Sequence, residues 1–281
     1  MSWRISRKLE LRRLIIIYLL VALFLAFTLP PLVIPFFTSF KTMSDVYALP
    51  PKLLPTPFTI ESYIYSLKEK NFLDNLYHSA VVATVVTFLT LVFAVSSGYG
   101  LARFNFRGRR LLAMSVLLAY LLPAVALLVP FFVIFKNLGL IDTYPAIILA
   151  HLVLTVPFAI WFMRGYLTYI PWELEEAAMV DGCSRPGAIL RVIFPLLKPA
   201  VLAIGFFSFI TSWQEFVYAL IFTGINTATA PVVIASFVQE AYVDWGGLAA
   251  STMIFSAPVA VLFLLFQRYL ISGLMGGAVK G

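Results

Sequence analysis

Six runs of apolar residues, each long enough to cross a lipid bilayer, constrain this chain more than any other feature. A helix needs roughly 20 apolar residues to span the hydrocarbon core. Apolar residues make up 62% of the chain and charged residues 12%, whereas a soluble domain usually carries about a quarter charged residues. We therefore predict an all-α membrane protein. Its six transmembrane helices are expected at about 14–37, 77–101, 111–135, 145–167, 200–222 and 249–271.

These helices predict a single transmembrane domain, 1–281, with no soluble domain attached. Basic residues precede the first run, as they do in a secretory signal. The run is too long for a signal and lacks a small-residue cleavage site, so we predict a transmembrane helix that is broken near Pro30-Pro31. Prolines inside the other spans can kink them; they are Pro123, Pro130, Pro157 and Pro258.

Small residues at four-residue spacing predict one close contact between helices. Ala94, Gly98 and Ala102 follow this spacing on the second span. Small side chains let a neighbouring helix approach closely. We therefore expect this span to pack inside a bundle.

Loops differ in their lysine and arginine content, which assigns them to sides of the membrane. Five basic residues precede the first run, four lie in 102–110 and three in 168–199. By contrast, 136–144 contains one and 223–248 contains none. We predict a multi-pass protein of the cell membrane with both termini, 102–110 and 168–199 in the cytoplasm. The net charge of +7 fits this topology better than nucleic-acid binding.

The loop 168–199 begins with the residue types of a helix. Pro171 suits a first helical turn, and the three carboxylates that follow it are favoured there by the helix macrodipole. Leu174, Ala177 and Ala178 have the spacing of one helix face. The small side chains on that face would let another surface approach it closely.

A turn and a second helix are predicted next. Gly182 permits the positive φ of a helix end, and Ser184 can cap the following helix. We expect that helix to run to Pro195. On residue types alone, an ordinary amphipathic connector is an equal alternative.

The spacing in this loop resembles the EAA loop of the membrane subunits of ABC importers. Its consensus is Glu-Ala-Ala, three residues, Gly, nine residues, Ile, one residue and Leu-Pro. The residues in register here are Glu176, Ala177, Ala178, Gly182, Val192, Phe194 and Pro195. Val192 and Phe194 replace the consensus Ile and Leu and keep an apolar side chain.

Other segments resemble the carbohydrate-importer branch of that family. They are 131–144, Trp213-Gln214-Glu215-Phe216 and the C-terminal 277–281. The resemblance covers essentially the whole chain. It implies a type I ABC importer permease fold that translocates a sugar or oligosaccharide by alternating access.

The resemblance also implies partners. They are a second, homologous permease subunit, two copies of an ABC ATPase subunit and an extracytoplasmic solute-binding protein. The expected ATPase contacts are Glu176, Ala177, Ala178, Asp181, Gly182 and Pro195, and the C-terminal tail is a further candidate. ATP and magnesium would be used by the ATPase, so no cofactor is expected on this chain.

Glu215 is the one acidic residue well inside a predicted span. A carboxylate in hydrocarbon costs roughly 2.5–3.5 kcal/mol or more, so it should face protein or water. With Trp213, Gln214 and Tyr218, it offers the amide, carboxylate and aromatic groups that a sugar requires. We predict a polar lining of the translocation path. A hydrogen bond between helices that stabilises the fold is an equal alternative.

Several functions are disfavoured by missing residues. No lysine follows a glycine, so the chain has no Walker A loop, and it shows no catalytic constellation. Cys183 is its single cysteine, and the two histidines are far apart in sequence, so neither a disulfide framework nor a metal site is expected. An ABC permease for a non-sugar solute is one alternative. The other is an ion-coupled secondary transporter that uses Glu215 as a proton site.

Overall fold

The computed structural model describes residues 2–239 and 242–275, and these are mainly helical, with turns, irregular loops and one isolated antiparallel bridge between Val238 and Val243. The chain divides into two compact units. The first contains the residues up to Lys70 together with Phe237–Ile254, and the second contains Asn71–Ser236 together with the chain from Phe255 onward. The predicted tail contact at 277–281 lies outside the described residues.

The described residues of the first unit form four helices and the start of a fifth. They are α1 Ser2–Thr28, α2 Pro30–Thr38, α3 Met43–Val46, α4 Glu61–Lys68 and the first part of α14 Trp245–Met275. The division between α1 and α2 lies at the predicted Pro30 break. Apolar side chains from Leu14 to Phe36 are mostly exposed, as expected of a helix that faces lipid or another subunit.

The second unit contains the remaining helices. They are α5 Phe72–Arg103, α6 Arg109–Leu121, α7 Leu128–Asn137, α8 Tyr144–Thr168, α9 Glu173–Val180, α10 Arg185–Ala188, α11 Phe194–Trp213, α12 Val217–Phe222, α13 Ala230–Ala235 and the rest of α14.

Five stretches of the described chain are apolar and long enough to cross a membrane. They are Arg13–Thr38, Phe72–Arg103, Tyr144–Thr168, Arg185–Trp213 and Trp245–Gln267. A sixth crossing requires α6 and the segment Ala124–Asn137 to be counted together, although they are bent by 95°.

The predicted span over 111–135 is bent at Pro123, one of the prolines expected to kink the spans, and it divides there into two helices. α6 ends at Leu121, and Leu122 has an extended backbone with ψ 132°. The ring of a proline disfavours the α conformation of the residue before it, so Pro123 ends the helix here. A 3₁₀ turn, Ala124–Leu127, then leads into α7.

α5 and α8 pack closely along the core of the second unit. A Cβ placed on Gly98 would lie 2.8 Å from Met163 Cγ and 3.2 Å from the amide nitrogen of Arg164. Nearby, the hydroxyl oxygens of Thr90 and Thr155 form a buried hydrogen bond of 2.7 Å. The predicted small-residue contact is therefore present at Gly98.

Candidate coupling loop and polar helix break

α9 ends in a turn that requires glycine. Gly182 has φ +90°. Its N–H donates to the carbonyl of Met179 at 3.1 Å, and the N–H of Cys183 donates to Ala178 at 3.0 Å. This pair of bonds is the Schellman motif, which satisfies carbonyls at a helix end. The predicted role of Gly182 in the turn is confirmed.

The start of α10 is as predicted, whereas the start of α9 differs from the prediction. The Ser184 hydroxyl accepts from the N–H of Gly187 at 3.3 Å and caps α10, with Pro186 in its first turn. Pro171, however, lies before the N-cap residue Trp172 and outside α9, so its predicted place in the first turn is wrong. Trp172 instead fixes the helix start by donating from its indole to Glu176 Oε1 at 2.7 Å.

α9 presents a mixed polar and apolar face outward. Leu174, Glu176, Ala177 and Asp181 are exposed, whereas Ala178 is only 8% exposed and packs inward. The prediction that Ala178 shares an open face with Leu174 and Ala177 is therefore wrong. The small size of Ala178 serves packing within this chain.

The helix that follows the turn was predicted to end at Pro195. This prediction is wrong, because the helix continues past Pro195. A helical run extends from Arg185 to Trp213. It includes a π-helical turn, Ile189–Ile193, in which the N–H of Phe194 donates to the carbonyl of Ile189. Proline clashes with the carbonyl four residues earlier in a regular helix, and a wider turn before Pro195 relieves this conflict.

The second candidate region is a break between α11 and α12 at residues 214–216. Glu215 lies in this break and does not sit within a continuous helix. Its carboxylate accepts from the N–H of Tyr218 at 2.9 Å and of Ala219 at 3.0 Å. His151 Nε2 lies 3.2 Å from Glu215 Oε2, and His151 Nδ1 lies 2.8 Å from Ser212 Oγ. The carboxylate thus starts α12 and links it to α8.

The four candidate path residues cluster at this break but point in different directions. Trp213 is 3% exposed and stacks on Phe255 with ring centroids 5.2 Å apart. Tyr218 is 1% exposed, and its hydroxyl donates to the carbonyl of Ala124 at 2.8 Å. Gln214 is exposed and lines a cavity of about 510 Å³ together with Thr211 and several phenylalanines.

Asp142 is a well-connected carboxylate that the sequence did not single out. Its oxygens accept from the N–H groups of Gly224 at 2.7 Å and Thr227 at 3.1 Å, from the Thr227 hydroxyl at 2.7 Å and from the Asn226 amide at 2.8 Å. Burial raises the pKa of Asp142, but the hydrogen bonds from Thr227, Asn226 and Gly224 together outweigh burial, and the pKa lies below its ordinary value.

Comparison with known proteins assigns the chain to a family. The model of the binding-protein-dependent transport system inner membrane component matches residues 91–275. The chain belongs to this family. It is thus a membrane-spanning permease of an ABC importer, a transport subunit and not an enzyme, as the sequence predicted.

Relatives of this permease match it over most of its length. The diacetylchitobiose uptake system permease protein of Streptomyces coelicolor is 33% identical over 88% of this chain and 90% of its own. The trehalose/maltose transport system permease protein of Thermococcus litoralis is 34% identical over 84% of this chain and 88% of its own.

A solved structure supports the fold. The crystal structure of a bacterial ABC transporter involved in the import of the acidic polysaccharide alginate contains a chain that matches with a TM-score of 0.77. The match covers 91% of this chain and 95% of that one at 24% identity. The predicted all-α, type I importer permease fold is confirmed, and the permease is a multi-pass membrane protein.

Proposed function

We propose that this permease translocates a sugar or an oligosaccharide. The observation that carries the proposal is the match, over more than four fifths of the chain, to permeases whose names specify diacetylchitobiose, trehalose and maltose. The cavity beside Gln214 fits this cargo, because it combines an amide and a hydroxyl with phenylalanine rings. Amides bind sugar hydroxyls, and aromatic rings suit the apolar face of a sugar.

The loop 168–199 docks on an ATPase subunit in this proposal. α9 and the glycine turn form a compact projection with an exposed face of Leu174, Glu176, Ala177 and Asp181. Small and medium side chains on a rigid helix allow a cleft to close around them. Pro195 contributes by shaping the second helix of the loop, and Ala178 by holding α9 against the chain.

Orientation follows from the basic residues. The N-terminus, 102–110 and 168–199 carry most of the loop arginines and lysines, so they face the cytoplasm by the positive-inside rule. This orientation places the coupling loop on the side where ATP is available. ATP and magnesium then bind to the ATPase, and this chain holds neither.

The transport cycle is alternating access, in which ligands shift the population of two states. Closure of two ATPase subunits around ATP draws the coupling loops of this chain and of a homologous permease together. The path then opens outward and receives sugar from a binding protein. It returns to the inward state after hydrolysis.

Co-purification tests the proposal. The chain is expressed with its genomic neighbours and isolated by a tag, and ATP hydrolysis is measured with a panel of sugars and the binding protein. We expect an ATPase in the complex and stimulation by one loaded binding protein. Stimulation of ATP hydrolysis by a non-sugar solute would overturn the proposal that the cargo is a sugar. Transport by the isolated chain without ATP would establish an ion-coupled transporter.

A further inference from the structure

A fully buried carboxylate lies beneath the coupling loop. Glu175 is 0% exposed, whereas Glu173 and Glu176 on the same helix are exposed. Burial of a charged group is costly unless the charge is paired and hydrogen-bonded. The surroundings of Glu175 therefore have to supply partners.

These partners come from the end of α5 and the start of α10. The Tyr99 hydroxyl donates to Glu175 Oε1, and Arg185 Nε lies 3.4 Å from the same oxygen. Arg103 Nε lies 3.7 Å from Glu175 Oε2. Tyr99 and Arg103 belong to the last turns of α5, so one carboxylate joins the coupling loop to a transmembrane helix.

An aromatic ring fixes the two guanidinium groups. The centre of the Arg103 guanidinium lies 5.4 Å from the Trp172 ring centroid, and that of Arg185 lies 5.3 Å from it. Such cation–π contacts stabilise a cation beside an aromatic face. Arg103 also donates from Nη2 to the carbonyl of Ile170 at 2.9 Å. Both arginines thus contact Trp172, the residue before α9, and Arg103 also binds the backbone at Ile170.

One side of this cluster is held less tightly than the other. Glu175 Oε2 and Arg103 Nε are both buried, and neither has a hydrogen-bond partner among the described residues. Their separation of 3.7 Å exceeds a normal N–H···O distance of about 2.9 Å. A shift of less than 1 Å would close the bond, so the ion pair between α9 and α5 would persist through a small displacement of α9.

We propose that Glu175 is a positioning residue that ties the movement of the coupling loop to α5. The inference rests on the proposed docking role of the loop. α5 is packed against α8 at Gly98 along the core, so a displacement of α9 that reaches Arg103 is passed to the bundle. Without the carboxylate, the loop would still carry its exposed docking face, but Arg103 would hold it only through Trp172 and the Ile170 carbonyl, so the loop would move α5 less.

The test compares two substitutions on one helix that remove the same charge. Glu175→Gln keeps the shape and an acceptor oxygen for Tyr99, but it removes the negative charge that pairs with both arginines. Glu173→Gln is the matched control at an exposed position. Each variant is purified as the full complex. The retained ATPase, the thermal midpoint and the ratio of ATP hydrolysis with and without loaded binding protein are then measured.

We expect Glu175→Gln to retain the ATPase but to lower the stimulation ratio by about fivefold or more, the scale of a coupling between two sites. Glu173→Gln should match the unaltered complex. Tyr99→Phe, which removes one hydroxyl, should give an intermediate ratio if Glu175→Gln fails to fold. Normal stimulation in both the Glu175 and Tyr99 variants would overturn the proposal, as would a decrease that only follows lost ATPase or lost folded protein.

A spin label on the single cysteine, Cys183, separates this inference from the proposed function. Cys183 lies in the turn after α9, so its label reports the mobility of the loop without any ATPase. Glu175→Gln should raise this mobility and Glu173→Gln should not. An unchanged spectrum would overturn the positioning role even if the importer functions as proposed. A wild-type chain that retains no ATPase would instead overturn the proposed function.

Discussion

Substitution of Gly182 tests whether the backbone of the turn, rather than its surface, determines docking. Gly182 has φ +90°, and a Cβ built there meets no atom of the chain within 4 Å. No clash is therefore expected, and the cost is the backbone strain of an L-residue. That strain is about 1–2 kcal/mol, which corresponds to a factor of about 5–30 in the population of the turn.

Three variants separate strain from charge. Gly182→Ala adds strain alone. Gly182→Asn adds less, because asparagine tolerates the left-handed region, and Gly182→Asp adds a charge to nearly the same shape. We expect the affinity of the ATPase for the permease pair in lipid nanodiscs to fall about 5–30-fold for Ala. The affinity should fall less for the Asn variant than for the Ala variant. It should fall more for the Asp variant than for the Asn variant.

Gly108 provides the matched control. It has φ +87° and an equally open Cβ position, but it lies in the loop 102–110. Gly108→Ala should carry the same strain without affecting ATPase affinity. If Gly182→Ala binds the ATPase as well as Gly108→Ala does, the turn does not shape the docking surface. Equal affinities for the Asn and Asp variants would remove the argument from charge.

Three further predictions concern the packing of α5 on α8 and the carboxylates of Glu215 and Asp142. Gly98→Ala should lower the thermal midpoint of the complex, because its Cβ would lie 2.9 Å from Met163 Cβ, whereas Gly100→Ala, with no atom within 4 Å, should not. Glu215→Ala should lower the midpoint by several degrees, because each buried N–H left unpaired costs about 1–3 kcal/mol. Glu215→Gln should lower it less, because its one amide oxygen can still accept from the N–H groups of Tyr218 and Ala219. Altered sugar stimulation at an unchanged midpoint would show a role in the path. The pKa of Asp142 is depressed in the folded protein. The ionised Asp142 carboxylate therefore stabilises the folded loop above the unfolded pKa of about 3.9, and this contribution is lost as pH falls through the lower folded pKa. Hydrogen-exchange protection of the loop at Gly224 should therefore fall below about pH 4, and Asp142→Asn should remove that dependence.

Features with a local chemical signal could be predicted from the sequence. The apolar runs predicted the membrane-spanning helices because the bilayer requires a fixed length of apolar residues. The end of α9 was predicted from Gly182 and the start of α10 from Ser184, since a positive φ and an N-cap each require particular residue types. These signals depend on a few neighbouring residues and are independent of the fold.

Features that depend on distant residues could not be predicted. Glu175 was read as one of three carboxylates at a helix start, but its partner Tyr99 lies 76 positions earlier. Asp142 contacts residues more than 80 positions later. Prolines show the same limit, because Pro123 ends a helix whereas Pro157 lies inside α8. Tertiary packing decides between these outcomes, and the local sequence does not encode it.

Two of the helix breaks form one structural unit. A break in a membrane helix leaves backbone groups without partners, and they have to be satisfied by protein. Glu215 accepts from the N–H of Tyr218 at the start of α12, and the Tyr218 hydroxyl donates to the carbonyl of Ala124, directly after the Pro123 bend. Tyr218 thus serves both breaks, one with its backbone and one with its side chain. A movement of α12 cannot reshape one break without disturbing the other, so the two discontinuities are expected to change together during transport.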